Sequence, residues 1–157
     1  MLPYFSFFIL YRLTSFFFFK SLEEYLADFL DEMENLLNNG IEFKGSIIIV
    51  KIRSLICDAP ARSFLKKIIA HNGSKGCERC TVEGTSFWRR MIFEDVERPK
   101  RTNQSFRSQA DEKHHDGVTP LLRLGIDCVS QFVLDPMHLL YLGVMRKLLR
   151  FSTTAYF

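Results

Sequence analysis

The run "IIIVKIRSLIC", residues 47–57, restricts the fold of this chain more than any other stretch. It is β-branched and almost continuously apolar, the pattern of an interior strand covered on both faces. The run stops at "DAPARSFLKKIIAH", where Pro60 suits the first turn of a helix: its φ is already helical and its missing N–H would have no partner there. Upstream, "SLEEYLADFLDEMENLLNNG" predicts a helix. Ser21 followed three residues later by Glu24 is a capping-box pattern. Leu22, Tyr25, Leu26, Phe29, Leu30, Met33, Leu36 and Leu37 fall on one helical face, and Asn38, Asn39 and Gly40 end it. The short extended run "IEFK" lies between, split from the long one at Gly45-Ser46. Helix, short strand, long strand, helix is the order of an α/β layer.

Residues 21–83 therefore read as core. From 84 to 119 the chain is polar, basic and poor in aliphatics, apart from a candidate strand at Met91–Phe93, and reads as an insertion. Residues 120–150 are apolar again, and "DPMHLLYLGVMRKLLRF" predicts a mostly buried helix opening at Asp135-Pro136. The phenylalanine-rich segment 1–20 stands apart. It is short for a membrane span and carries Arg12 at its middle, and it lacks the basic start and cleavage site of a secretory signal. It reads as lying outside the domain, with a membrane anchor over residues 4–19 as the weaker alternative.

Length and composition fit one globular domain: 157 residues, 47% hydrophobic and 25% charged. The net charge of +3 is unevenly spread. Residues 21–37 hold six acids and no base, whereas residues 38–157 hold 19 bases against 12 acids. That asymmetry permits an anionic partner such as DNA. Within 89–107, Arg89, Arg90, Arg98, Lys100, Arg101 and Arg107 face three acids, with Phe93, Phe106 and Trp88 interleaved. Basic residues that track a backbone, with aromatics that stack, make a candidate DNA-binding set; a solvated loop has the same composition. Nothing in the sequence points to a small-molecule substrate or fixes an oligomeric state.

Four cysteines in a chain this long do not make an extracellular disulfide framework. Cys57 and Cys128 lie in apolar runs and read as small buried hydrophobes. Cys77 and Cys80 differ, because "GCERC" spaces two thiols three residues apart. Redox pairs of this spacing open a helix, whose N-terminus lowers the thiol pKa. Here Gly76 precedes and "TVEG" follows, which predicts a turn, the shape that lets two thiolates converge on one zinc. No second pair follows, so the remaining ligands would come from His71, from His114 and His115, or from Asp135 and His138. Asp135 and His138 are spaced i, i+3, on one side of a first helical turn, although Asp135 can equally cap that helix ahead of Pro136. Asp58 poses the same alternative. An aspartate just past a buried strand is where α/β folds place catalytic groups, and it is also a cap for the helix entered through Pro60.

Three stretches taken together, "SLEEYLADFLDEMENLLNNGIEFKG", "IRSLICDAPARSFLKKIIAHNGSKGCERCTVEGT" and "LGIDCVSQFVLDPMHLLYLGVMRKLL", resemble the central part of En/Spm-like (CACTA) DDE transposases, in particular animal transposase-domain proteins. The resemblance runs from about Ser21 to Leu149 and rests on "CDAPAR", "GCERC" and D-x-M-H in that order. It implies a partial RNase H-like core with a zinc-binding insertion. It makes Asp58 the second of three catalytic carboxylates, and Cys77, Cys80, Asp135 and His138 the ligands of a structural zinc. The parent activity implied is Mg²⁺-dependent cleavage and strand transfer at transposon ends in the nucleus. The stretches that would carry the first and third carboxylates have no counterpart here, so the resemblance implies a partial copy without activity of its own. A non-enzymatic, zinc-stabilised module for DNA or protein is the alternative.

Overall fold

The computed structural model describes residues 21–94 and 96–154; segment 1–20 lies outside them. Helix α1 spans Leu22–Asn39. Ser21 caps it by accepting from the Glu24 N–H at 3.1 Å. Gly40, at φ 71°, closes it by donating its N–H to the Leu36 carbonyl. That backbone conformation favours glycine, and a Cβ at this position would press on Ile47 and the Ile48 carbonyl. Leu22, Leu26, Phe29, Leu30 and Met33 form the buried stripe, each burial contributing roughly 1.5–3 kcal/mol. They pack with Leu121, Ile126, Cys128 and Phe132 from the far end of the chain. On the acidic side of α1, Arg123 of the 3₁₀ turn Pro120–Leu124 pairs with Asp31 and Glu34.

Strands are short and paired in twos. β1 (Ile41–Phe43) and β2 (Ser46–Ile48) form an antiparallel hairpin through Lys44 and Gly45. β3 (Leu55–Cys57) pairs in parallel with β6 (Phe132–Leu134), Cys57 opposite Leu134. Between them come α2 (Ala59–Lys66), the antiparallel hairpin of β4 (Thr85–Phe87) and β5 (Arg90–Ile92), and α3 (Asn103–Arg107). After β6 the chain winds as a π-helix over Met137–Met145 and as α4 over Arg146–Thr154. The architecture is mixed helix and sheet, consistent with the α/β class.

Two expectations change. The run at 47–57 is not one interior strand. Its first part is an exposed hairpin arm with Ile47 and Ile49 open to solvent, residues 49–54 are irregular, and only Leu55–Cys57 joins the parallel pair. Lys51 and Arg53 explain the break, because a strand roofed on both faces has no place for two charges. The helix after Asp135 is not buried either: from Met137 to Phe151 its large apolar side chains are exposed, Phe151 to 70%. Its apolar pattern records what a cover would touch, and the described residues supply no such cover.

The segment 84–119 splits in two. Its first half projects as the β4–β5 hairpin, whose β4 residues are exposed throughout. Its second half enters the core through Phe106, His114 and Thr119.

Candidate metal and nucleic-acid site

Cys77 and Cys80 lie in a turn outside any helix, their Sγ atoms 3.5 Å apart. Gly76 makes the turn possible by passing so close to the Ala70 carbonyl that a side chain would collide with it. Burial pushes the Cys77 thiol up, but the N–H groups of Arg79 and Cys80, the Cys80 side chain and the Arg101 charge outweigh it and hold the thiol below its ordinary pKa. The Cys77 thiol therefore ionises more readily than an ordinary one, with a second sulfur beside it. Two sulfurs on one tetrahedral zinc at ~2.3 Å would be about 3.8 Å apart, so this pair fits half of such a site.

The two residues between the cysteines bolt the turn to the core. Glu78 accepts from Arg62 Nε at 2.9 Å and from Lys66 Nζ at 2.8 Å, both on α2. Arg62 also donates through Nη1 to the Cys57 carbonyl at 2.8 Å, tying the same network to the end of β3. Arg79 donates to the carbonyls of Val129 and Phe132, at the start of β6. Lys66 is only 1% exposed and lies over the rings of Phe106 and Phe132. Burial lowers its pKa, while Glu78 opposes that shift. Burial likewise raises Glu78, but Lys66 and Arg62 more than compensate and keep its carboxylate below the usual range.

The turn is also the base of the projecting excursion. The Thr81 N–H donates to the Pro99 carbonyl at 3.1 Å and the Arg101 N–H to the Arg79 carbonyl at 2.9 Å, so two antiparallel segments pinch the loop shut beside Cys80. Arg101 is buried, bonded through Nε to the Cys77 carbonyl at 3.0 Å and through Nη2 to Asp111 at 2.8 Å. Arg107 is exposed but donates to the Ile126 carbonyl at 3.1 Å. Of the six basic residues expected at DNA, these two are committed to the protein itself. Arg89, Arg90, Arg98 and Lys100 are exposed and make no ion pair with a described residue.

Asp58 caps α2, its carboxylate accepting from the Ala61 N–H at 2.8 Å, with Pro60 inside the first turn. Asp135 accepts from His138 Nδ1 at 2.6 Å and from the Met137 N–H at 2.8 Å, and these bonds, led by that of His138, hold its carboxyl below the usual range. The capping role weighed for each aspartate is thus occupied. Each also directly follows a strand of the one parallel pair among the described residues, so both stand at the carboxyl end of that pair. Burial pushes the thiol of Cys57 beside them up to about 11, and burial does the same to Cys128.

The structure brings Cys77 to Cys80 and Asp135 to His138, but not the two pairs together: among the described residues no three His, Cys, Asp or Glu side chains gather as a metal would need. His71 is exposed. His114 is 1% exposed; its Nδ1 lies 2.6 Å from the Lys75 carbonyl, two residues before Cys77, and its Nε2 is buried without a partner. Burial lowers its pKa to about 4, leaving the ring neutral near pH 7. Sequence reasoning missed Arg62, Lys66 and Glu78 as a unit. The available signal was a lysine on the inner face of "SFLKKII" and an acid between two cysteines. Among the described residues no helix is long and apolar enough to cross a membrane. The chain matches no known protein family, no curated protein and no solved structure.

Proposed function

We propose that this chain is the middle part of a DDE-type DNA transposase of the En/Spm-like (CACTA) class, with an RNase H-like core interrupted by a zinc-held insertion. The observation that carries the reading is the position of Asp58. It follows β3, whose parallel neighbour β6 is followed by Asp135, and the carboxyl end of parallel strands is where open α/β sheets present their chemistry. Arg62 supports that end by holding the Cys57 carbonyl while its Nε holds Glu78 of the cysteine turn.

In the parent reaction three carboxylates hold two Mg²⁺ ions, which activate a water or a 3′-hydroxyl and stabilise the leaving oxygen. In this chain Asp58 is the residue assigned to that set; its oxygen not engaged by Ala61 would meet the metal. Cys77 and Cys80 would hold zinc as a structural ion, with Asp135 and His138 as the remaining ligands proposed. A single assigned carboxylate cannot hold two metals, so the isolated chain is expected to be inactive, with a nuclear, DNA-directed role belonging to the parent.

Two measurements test the reading. The full transcript at this locus should join an upstream aspartate-glycine strand and a downstream glutamate to residues 21–150 in one open frame; in-frame stops on both sides would reduce it to a relic. Purified chain with Mg²⁺ or Mn²⁺ should leave duplex DNA uncut. Cleavage abolished by Asp58→Ala would overturn the claim that it is inactive alone.

A further inference from the structure

The tip of the β4–β5 hairpin carries features that neither the metal half-site nor the assigned carboxylate uses. Trp88, the only tryptophan of the chain, is 84% exposed there, the largest exposure among the described large hydrophobics. Phe87 is exposed beside it, edge-on at 6.3 Å. Both turn residues, Trp88 at φ 48° and Arg89 at φ 59°, lie in the left-handed region. Two-residue hairpin turns of this kind favour Asn-Gly, because bulky side chains are strained there. This hairpin instead puts an indole and a guanidinium in the two strained positions and follows them with Arg90. The strain sits at an apex that buries almost nothing, so packing does not account for it; such outliers concentrate at functional positions. Gly84, by contrast, gives the hairpin a firm foot: Met91 packs so tightly on it that a Cβ would lie 2.7 Å from the Met91 sulfur.

We infer that this tip is a contact for unpaired bases of single-stranded DNA, with Trp88 as the stacking platform and Arg89 and Arg90 on the flanking phosphates. The inference rests on the reading of the chain as one that acts on DNA and adds the substrate form it engages. Charge decides the partner class. The exposed aromatics are bordered by Arg89 and Arg90, with Arg98 and Lys100 lower on the same excursion, none in an ion pair with a described residue. A phosphate backbone complements that border, whereas the buried centre of a protein interface is depleted of charge. The indole decides the strand state: a flat ring stacks on a base whose face is open, as in single strands, and duplex stacking covers those faces except at the ends.

Because Trp88 is the only tryptophan, its fluorescence reports the tip alone. The full chain would be titrated with a labelled oligothymidylate, following label anisotropy for binding and indole emission for stacking. Emission should quench in step with binding. Trp88→Ala should weaken binding about tenfold, within the range one base–aromatic stack contributes, with unchanged far-ultraviolet circular dichroism, and Trp88→Phe should recover most of the loss. Matched duplex should bind with little quenching. If the oligonucleotide binds but emission and the Trp88→Ala affinity do not change, the tip assignment fails while DNA binding stands. Equal quenching by heparin would also overturn it, reducing the tip to a charge contact. Absence of binding to either DNA form would remove both the tip assignment and the DNA reading.

Discussion

The excursion between Cys80 and Lys100 has a base and a tip built on opposite rules. At the base the buried charges are paired: Glu78 takes Arg62 and Lys66, and Arg101 takes Asp111, while the exposed Arg79 donates to two carbonyls. At the tip Arg89 and Arg90 stand in solvent beside an exposed indole on a strained turn. The two ends are separated by a few residues of the same basic stretch, so composition alone does not distinguish them. Burial does. A desolvated guanidinium without a partner is prohibitively costly, so the buried Arg62 and Arg101 become structural, and the arginines of the tip keep their donors for something outside the protein.

The sharpest way to break this contrast is Glu78→Ala. It leaves Lys66 and Arg62 buried and unpaired, and denaturant unfolding should register a loss of about 3–5 kcal/mol. A loss under ~1 kcal/mol would mean that the base is not held by this network. Next comes pH. The His114 pKa, about 4 when folded against about 6.5 when unfolded, makes the unfolded chain bind the extra proton between those values. Its contribution is whole above pH 6.5 and is lost as pH falls toward 4, on the order of 3 kcal/mol. Unfolding midpoints taken from pH 7 to pH 4 should fall accordingly, and His114→Gln should flatten that part of the profile.

Arg101→Ala removes bonds to Asp111 and to the Cys77 carbonyl and should cost about 2 kcal/mol. Arg90→Ala at the tip should change stability by no more than ~0.5 kcal/mol, yet lower the slope of DNA affinity against salt by about one phosphate contact. Equal stability effects at the two positions would erase the distinction between base and tip.

Much of this arrangement was legible in the chain and some was not. The cap at Ser21, the stripe of α1, the stop at Gly40 and the entry of α2 at Asp58-Ala-Pro60 are local matters, written within a turn of the residues concerned, and all appear as read. The turn at Cys77–Cys80 was readable from its glycine for the same reason. The long run at 47–57 misled because β-branched composition reports strand preference without fixing the partner, and the charges Lys51 and Arg53 decide where pairing stops. The helix after Asp135 misled because apolarity marks a surface that needs cover without saying where the cover comes from. The roles of Lys66 and Glu78 were not legible, since each makes sense only through the other across a gap of twelve residues. Arg101 and Arg90 differ by nothing in sequence, only by which side of the pinch at Cys80 they fall on.

The most direct test of the proposal that zinc joins the cysteine turn at the base is the zinc content of the purified chain by native mass spectrometry. We expect about one zinc per chain, absent in Cys80→Ser and weakened in His138→Ala. Metal content unchanged by Cys80→Ser would contradict the assignment, as would a wild-type chain that takes up no zinc from a stoichiometric supply at neutral pH.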